Sequence, residues 1–160
     1  MLKATLSRMI VLAFASLVLG QPAYGDNTAV SAAYPESVVK AIQDMGYKAE
    51  LTIDDYGDPL VLSAAHGVGF SVIFYGCENG TDCTDLQFSA AFDLLQGLDY
   101  VSMNSWNAER VMGTAYLDRN NDPVFQYFVS QVDGMSRHNF DKTYEFWVEM
   151  LGEFMDFIGW

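Results

Sequence analysis

Residues 139–158, NFDKTYEFWVEMLGEFMDFI, are the most informative stretch of this chain. At about 100° per residue, one side of a helix built from this stretch collects large apolar residues, namely Phe140, Tyr144, Trp147, Leu151, Phe154 and Ile158. The opposite side carries acidic residues, namely Glu145, Glu149, Glu153 and Asp156. The pattern predicts an amphipathic helix from about Asn139 to Ile158, with one face against a sheet and the other in water.

The apolar face of this helix is wider than packing on a sheet requires. Phe146, Met150 and Phe157 flank it on one edge, and Val148 and Met155 flank it on the other. Apolar residues therefore span roughly 200°, against a usual stripe of a little over 100°. A second subunit, a bound ligand or deeper burial in the same domain would each cover the excess. We take Phe146, Met150 and Phe157 as candidate partner-binding residues.

Upstream of this helix, the chain alternates between helical and strand patterns. Helices are predicted from Pro35 to Gly46, where Pro favours the first turn and Gly the end, and from Asn104 to Val111. Period-two segments predict six strands, at about Ala49–Ile53, Leu60–Ala64, Val68–Tyr75, Leu86–Phe92, Thr114–Leu117 and Val124–Val132. We therefore expect an α+β fold: an antiparallel sheet of about six strands packed by an N-terminal helix, a short middle helix and the long C-terminal helix. A meander and a split sheet both fit this pattern.

Two connections between strands share one spacing. Asp54 to Asp58-Pro59 matches Asp118 to Asp122-Pro123, which predicts one turn geometry used twice. The second segment also imitates the opening of a calcium loop, but it lacks the Gly at position six and has Val129 where a bidentate Glu is needed. We expect hairpin turns there and no dedicated metal site; weak calcium binding by the acidic surface stays open.

Composition and charge exclude several classes of protein. The chain has 160 residues, of which 51% are apolar and 14% aromatic, so we expect one compact domain and not a disordered chain. Its 21 acidic residues outnumber 8 basic ones, for a net charge of −13. Such a field repels nucleic acid and anionic lipid.

The N-terminus has the features of a secretory leader. Lys3 and Arg8 precede the apolar run from Met9 to Gly20, and small residues occupy the recognition positions in Ala23-Tyr24-Gly25. We predict a signal peptide over residues 1–25, a flexible lead-in over 26–34 and a domain over 35–160. Removal of the leader would take away two basic residues, leaving 6 basic and 21 acidic residues. We expect a periplasmic or secreted bacterial protein with no stable membrane insertion.

The two cysteines agree with export. Cys77 and Cys83 stand at the ends of Cys-Glu-Asn-Gly-Thr-Asp-Cys, and in an oxidising compartment two thiols this close should pair. Catalytic dithiols usually have two intervening residues at a helix start, whereas here five lie in a Gly-containing loop. We predict a structural disulfide.

No catalytic set is recognisable in the sequence. The two histidines, His66 and His138, lie in no Gly-x-Ser-x-Gly elbow and no His-Glu-x-x-His helix. An enzyme would need a cleft in which one of them meets carboxylates. We therefore predict a non-enzymatic protein without a cofactor.

The segment Asn104-Ser105-Trp106-Asn107 allows two interpretations. Asn before a helix can cap its free N–H groups, and a Trp on so short a helix must reach the core to hold it. Trp106 would then be a packing latch. Alternatively, Trp106, Asn107 and Arg110 would edge a peptide groove, and we keep all three as partner-binding candidates.

The chain resembles the YbjN-like domain family, described as sensory transduction regulators. The resemblance covers nearly the whole mature domain and is carried by Leu86-Gln87-Phe88, by residues 104–107, and by Ala115-Tyr116-Leu117-Asp118 leading to Asp122-Pro123. The family is similar in fold to type III secretion chaperones, α+β domains that often dimerise and bind extended protein segments. The resemblance implies a binding or regulatory role.

Two functional hypotheses follow. The first is an exported, non-enzymatic binding module that holds a protein segment or associates with a second copy of itself. The second is a periplasmic binder of small ligands, with a pocket between the sheet and the C-terminal helix lined by residues such as Phe88, Tyr116 and Trp147.

Overall fold

A computed structural model describes residues 29–160, so the predicted leader over residues 1–25 and the first residues of the lead-in lie outside the described residues. Three helices and six strands follow one another along the chain. They are α1 (Pro35–Asp44), β1 (Ala49–Ile53), β2 (Pro59–Ala65), β3 (Val68–Tyr75), β4 (Asp85–Ala91), α2 (Tyr100–Glu109), β5 (Thr114–Leu117), β6 (Pro123–Ser130) and α3 (Arg137–Ile158). The predicted α+β class is confirmed.

The six strands form one antiparallel sheet in the order β1-β2-β3-β4-β6-β5. The first four strands are a meander, and β6 then pairs with β4 while β5 occupies the outer edge. The sheet is therefore split after β4. The chain between β4 and β5 passes through α2 and leaves room for one strand beside β4. β5 therefore forms the outer edge, and β6 returns between β5 and β4.

The core lies on one face of the sheet, which we call the helix face. Residues directly opposite in the ladder share a face, and the ladder places Val61, Val72, Phe88 and Phe125 together on this one. All four are buried. The other face, which we call the open face, carries residues such as Phe128.

Helix α3 confirms the prediction made from its sequence. Its buried residues are the predicted set, namely Phe140, Tyr144, Trp147, Leu151, Phe154 and Ile158. The helix begins at Arg137, earlier than Asn139, because the Ser136 side chain caps it by accepting a hydrogen bond from the backbone N–H of Asn139 at 3.2 Å.

Helix α2 begins earlier than predicted, and the expected cap at Asn104 is wrong. The cap is Asp99, whose Oδ1 accepts a hydrogen bond from the backbone N–H of Ser102 at 2.7 Å. This bond holds the pKa of the Asp99 carboxyl below its usual value. Asn104 lies inside the helix, since the exposed Tyr100 and Val101 already belong to it. With apolar residues on both sides, α2 has no periodicity to mark its start.

The two hairpin turns have one geometry, as predicted. Oδ1 of Asp54 accepts hydrogen bonds from the backbone N–H groups two and four residues further on, at 2.8 and 2.9 Å. Oδ1 of Asp118 does the same at 2.7 and 3.0 Å. In both turns the next-to-last residue has a positive φ. It is Gly57, at 90°, in the first turn and Asn121, at 64°, in the second.

Cys77 and Cys83 are joined by a disulfide within the β3–β4 connection. Gly80 of this loop lies against the β1–β2 turn, where a Cβ would come within 2.8 Å of the Gly57 carbonyl oxygen. The disulfide-closed loop therefore packs on the first hairpin.

Candidate functional site

Three partner-binding candidates form a stripe along α3. Phe146, Met150 and Phe157 lie at positions i, i+4 and i+11, which fall on one side of a helix. The Phe146 side chain is 46% exposed, Phe157 is also exposed, and Met150 is half-buried. We call these three residues the α3 stripe. It is apolar surface that the described part of the chain does not fully cover.

The other edge of the wide apolar face is covered within the domain. Val148 and Met155 are half-buried, and the β2–β3 turn lies against this side. There His66 Nε2 is 3.0 Å from the Val148 carbonyl oxygen, and Gly152 is close to the same ring. Deeper burial therefore accounts for this edge, while the α3 stripe keeps its exposed surface.

Trp106 is a core residue at one end of the α3 stripe. Its side chain is 1% exposed. Its ring centroid lies 5.1 Å from Phe154, 5.2 Å from Phe157 and 5.7 Å from Phe125. These contacts are those expected of a packing latch that joins α2 to α3 and β6.

Arg110 closes the gap between α2 and α3 above this latch. Its guanidinium carbon lies 4.9 Å from the centroid of the Trp106 ring, and its Nε donates to Glu153 at 3.1 Å. Because the pair is partly exposed, it orients the Arg110 side chain but contributes little to the free energy of unfolding. Arg110 thereby occupies the rim of the α3 stripe.

Asn107 faces away from the stripe, towards the edge strand β5. Its amide Oδ1 accepts a hydrogen bond from the backbone N–H of Ala115 at 2.8 Å, and its Nδ2 donates to the Ala115 carbonyl at 2.9 Å. The side chain thus takes the place of a neighbouring strand. Asn107 therefore satisfies the outward-facing N–H and C=O groups of Ala115.

Of the six candidates, the structure brings five to one side of the molecule. Trp106, Arg110 and Phe157 are linked through direct contacts, and Phe146 and Met150 continue the same stripe along α3. Acidic residues border the stripe, namely Glu109, Glu145, Glu149, Glu153 and Asp156. Arg110 pairs with Glu153, and Lys142 pairs with Glu145 at 2.6 Å. The border therefore keeps a net negative charge.

The predicted small-ligand pocket does not form from the predicted residues. Phe88 and Trp147 are buried and stack on each other with centroids 5.5 Å apart. Tyr116 pairs with Val124 and so lies on the open face, on the other side of the sheet. Period-two alternation places Tyr116 there, because its neighbour Ala115 takes the helix face. The three residues line no common cavity.

The histidines and acidic turns show no catalytic or metal-binding arrangement within residues 29–160. Neither His66 nor His138 forms an ion pair with a carboxylate in this range. No group of three or more His, Cys, Asp or Glu side chains is placed to hold a metal ion there. None of the helices in the described range is long and apolar enough to cross a bilayer.

A second exposed surface, which was not predicted from the sequence, lies at the edge strand β1. Ile53 is 70% exposed and Leu51 is 38% exposed, although the ladder places both on the helix face. A groove of about 340 Å³ separates this edge from the start of α1, and it is lined by Ala33, Pro35, Glu36, Leu51, Thr52, Ile53, Pro59, Gly80 and Thr81. Nothing in the pattern shows that β1 is an edge strand, because strand order is not encoded in periodicity.

A comparison with protein-family models matches residues 34–160 to the YbjN model, described as "Putative bacterial sensory transduction regulator". This match spans α1 to the end of α3. No curated protein and no solved structure matches the chain.

Proposed function

The chain belongs to the YbjN family, described as bacterial sensory transduction regulators, and we propose that it is a non-enzymatic module that binds a segment of another protein on the α3 stripe. The segment carries both apolar and cationic side chains. The observation that carries this proposal is the exposed aromatic surface of Phe146 and Phe157, set within an acidic border.

The apolar part of the recognition comes from the stripe itself. Large apolar side chains at the centre of a patch with a polar rim are the usual anchors of a protein interface. Phe157 is held in place by Trp106, since their ring centroids are 5.2 Å apart. The partner would therefore meet a partly pre-organised surface, which lowers the entropic cost of binding.

The negative charge of the chain favours a partner segment that carries basic residues. A net charge of −13 repels nucleic acid and attracts cationic segments. Glu149 and Asp156 beside the stripe have no ion pair within residues 29–160. A lysine or arginine next to an apolar anchor in the partner would therefore find a carboxylate within reach.

The compartment is part of the proposal. We propose that residues 1–25 are a signal peptide and that the module acts in the periplasm or outside the cell. The Cys77–Cys83 disulfide supports this location, because disulfides persist in oxidising compartments.

The test compares two exposed aromatic residues on opposite sides of the molecule. Phe146→Glu places a charge in the stripe, and Phe128→Glu places the same charge on the open face, where Phe128 is 54% exposed. Both side chains are exposed and neither makes an aromatic contact within the described range, so neither variant should unfold the domain. The probes are labelled amphipathic Leu/Lys peptides, one with helical and one with alternating spacing, and a Leu/Glu peptide as control.

We expect one of the Leu/Lys peptides to bind the oxidised protein and the Leu/Glu peptide not to bind. Phe146→Glu should weaken that binding at least about tenfold, and Phe128→Glu should change it by less than about twofold. Fluorescence anisotropy measures both. Equal effects of the two substitutions, or no binding of either Leu/Lys peptide, would remove the α3 stripe as the site.

A further inference from the structure

The backbone of β1 presents unused hydrogen-bonding groups along the edge of the sheet. The backbone N–H of Asp54 donates to the carbonyl of Asp58 across the β1–β2 hairpin at 2.8 Å. Because hydrogen-bonded residues alternate in an antiparallel ladder, Ala49, Leu51 and Ile53 direct their N–H and C=O groups outward. The groups of Leu51 and Ile53 have no partner within residues 29–160. Such an edge is a template for another strand.

We propose that a second copy of this chain docks on this edge, with its β1 antiparallel to the first β1 across a two-fold axis at Leu51. Each Leu51 would then exchange two backbone hydrogen bonds with its symmetry mate, and each Ile53 would pair with the other copy's Ala49. This isologous contact joins two six-stranded sheets into one, and it leaves the α3 stripe free.

Charge complementarity selects this register. With the axis at Leu51, Lys48 stands opposite Asp54 at both ends of the contact, and Glu50 stands opposite Thr52. Shifting the partner strand by two residues in one direction would place Glu50 opposite Glu50. The same shift in the other direction would place Glu50 opposite Asp54. Like charges directly opposite in a ladder are destabilising, so the register centred on Leu51 is favoured.

The surroundings of β1 leave space for the incoming strand. The groove between the edge and the first turn of α1 keeps Leu51 and Ile53 accessible. At the other end the exposed Gln43 amide donates to the Ala49 carbonyl at 2.9 Å. That carbonyl retains a second lone pair for the partner's N–H. Docking would cover the apolar surface of Leu51 and Ile53, which gives the contact a hydrophobic contribution.

A cysteine cross-link tests the register directly. In the proposed contact the two Leu51 Cα atoms lie about 5.5 Å apart, a distance that a disulfide can span. Leu51→Cys should form a covalent dimer in a glutathione redox buffer, as seen by non-reducing gel and peptide mapping. The control is Leu62→Cys on the open face, where Leu62 is 44% exposed. Absence of the Leu51→Cys dimer, or equal dimer from Leu62→Cys, would overturn the proposal.

A charge reversal tests the same contact without a covalent bond. Lys48→Glu would place like charges opposite each other at both ends and should weaken dimerisation by about tenfold. Arg119→Glu makes the same change in charge in the β5–β6 turn, far from β1, and should change it by less than about twofold. Light scattering at physiological ionic strength, where the Debye length is about 8 Å, measures the dimer. A monomer at every concentration, or equal effects of both reversals, would overturn the proposal.

Discussion

The two edges of the sheet are built from the same hairpin turn and are finished differently. β1–β2 and β5–β6 both close on an Asp whose Oδ1 accepts two backbone N–H bonds. At the β5 edge, the Asn107 amide bonds both backbone groups of Ala115, and α2 packs beside the strand. At the β1 edge, Leu51 and Ile53 have no such partner within residues 29–160.

Turn chemistry therefore determines the geometry of a hairpin but not whether its outer strand is exposed. An edge strand is protected by whatever packs beside it, and here one edge has a helix with a side-chain amide while the other has a groove. Contacts at the β5 edge, which we call the closed edge, should therefore matter for the stability of the domain. The β1 edge, which we call the open edge, should matter for association.

The largest effect is expected from Trp106→Ala in α2, the helix that packs beside β5. Removing a buried indole leaves a cavity between α2, α3 and β6 and should cost about 3–5 kcal/mol in the free energy of unfolding. Urea denaturation measures the loss. Ile53→Ala at the open edge should cost less than about 1 kcal/mol, because Ile53 is 70% exposed.

Trp106→Phe is the matched control for that variant. It keeps an aromatic ring and removes the indole N–H, which has no hydrogen-bond partner within residues 29–160. It should therefore lose much less stability than Trp106→Ala. If Trp106→Ala and Ile53→Ala cost the same, the two edges do not differ as the structure indicates.

The next prediction concerns the hydrogen bonds that connect the start of β1 to the buried Tyr144. Tyr144 Oη lies 3.1 Å from Ser63 Oγ, which donates to the Lys48 carbonyl, just before β1, at 2.7 Å. Burial raises the pKa of Tyr144 to about 12, and the hydrogen bond with Ser63 opposes the rise only in part. In the unfolded chain the pKa is about 10.

The sign of the pH dependence follows from this difference. Because the folded-state pKa is the higher one, the contribution of Tyr144 is complete below pH 10 and is lost as the pH rises towards 12. The loss amounts to about 2–3 kcal/mol. We expect Tyr144→Phe to show a shallower decline of unfolding free energy than the parent protein over this range, by urea titration. Parallel declines would contradict the buried, protonated Tyr144.

The smallest effect compares the two side-chain amides at the edges. Asn107→Ala leaves two backbone groups of Ala115 without partners and should cost about 1–2 kcal/mol. Gln43→Ala removes one exposed bond to Ala49 and should cost only a few tenths of a kcal/mol. Urea denaturation measures both, and hydrogen exchange of the Ala115 amide should accelerate only in Asn107→Ala. Equal costs would mean that Asn107 does not close its edge.

Several elements of the fold could be predicted because their signals are local. The spacing of apolar residues in α3 identified all six of its buried residues, since each faces the core at a fixed angle. The turns beginning at Asp54 and Asp118 could be matched from their spacing alone. The start of α2 was wrong, because a helix with apolar residues on both sides has no periodic signal and its cap, Asp99, was not recognised.

The candidate site could be predicted only in part. The α3 stripe follows from the excess width of the apolar face, and its exposure is seen at Phe146 and Phe157. The structure separates Asn107 from it, because the amide reaches β5 instead. The exposure of the β1 edge was not predicted, because the alternating sequence pattern of a strand is the same in the middle of a sheet as at its edge.

Local sequence was sufficient for most of the elements, their amphipathic faces and the two turns, because these depend on residues that are near neighbours along the chain, and composition alone gives the acidic charge. The strand order, the edge that Asn107 covers, and the side of α3 that the β2–β3 turn covers are visible in the folded structure alone. Those outcomes depend on contacts between residues far apart in sequence, and such contacts leave no periodic signal in the chain.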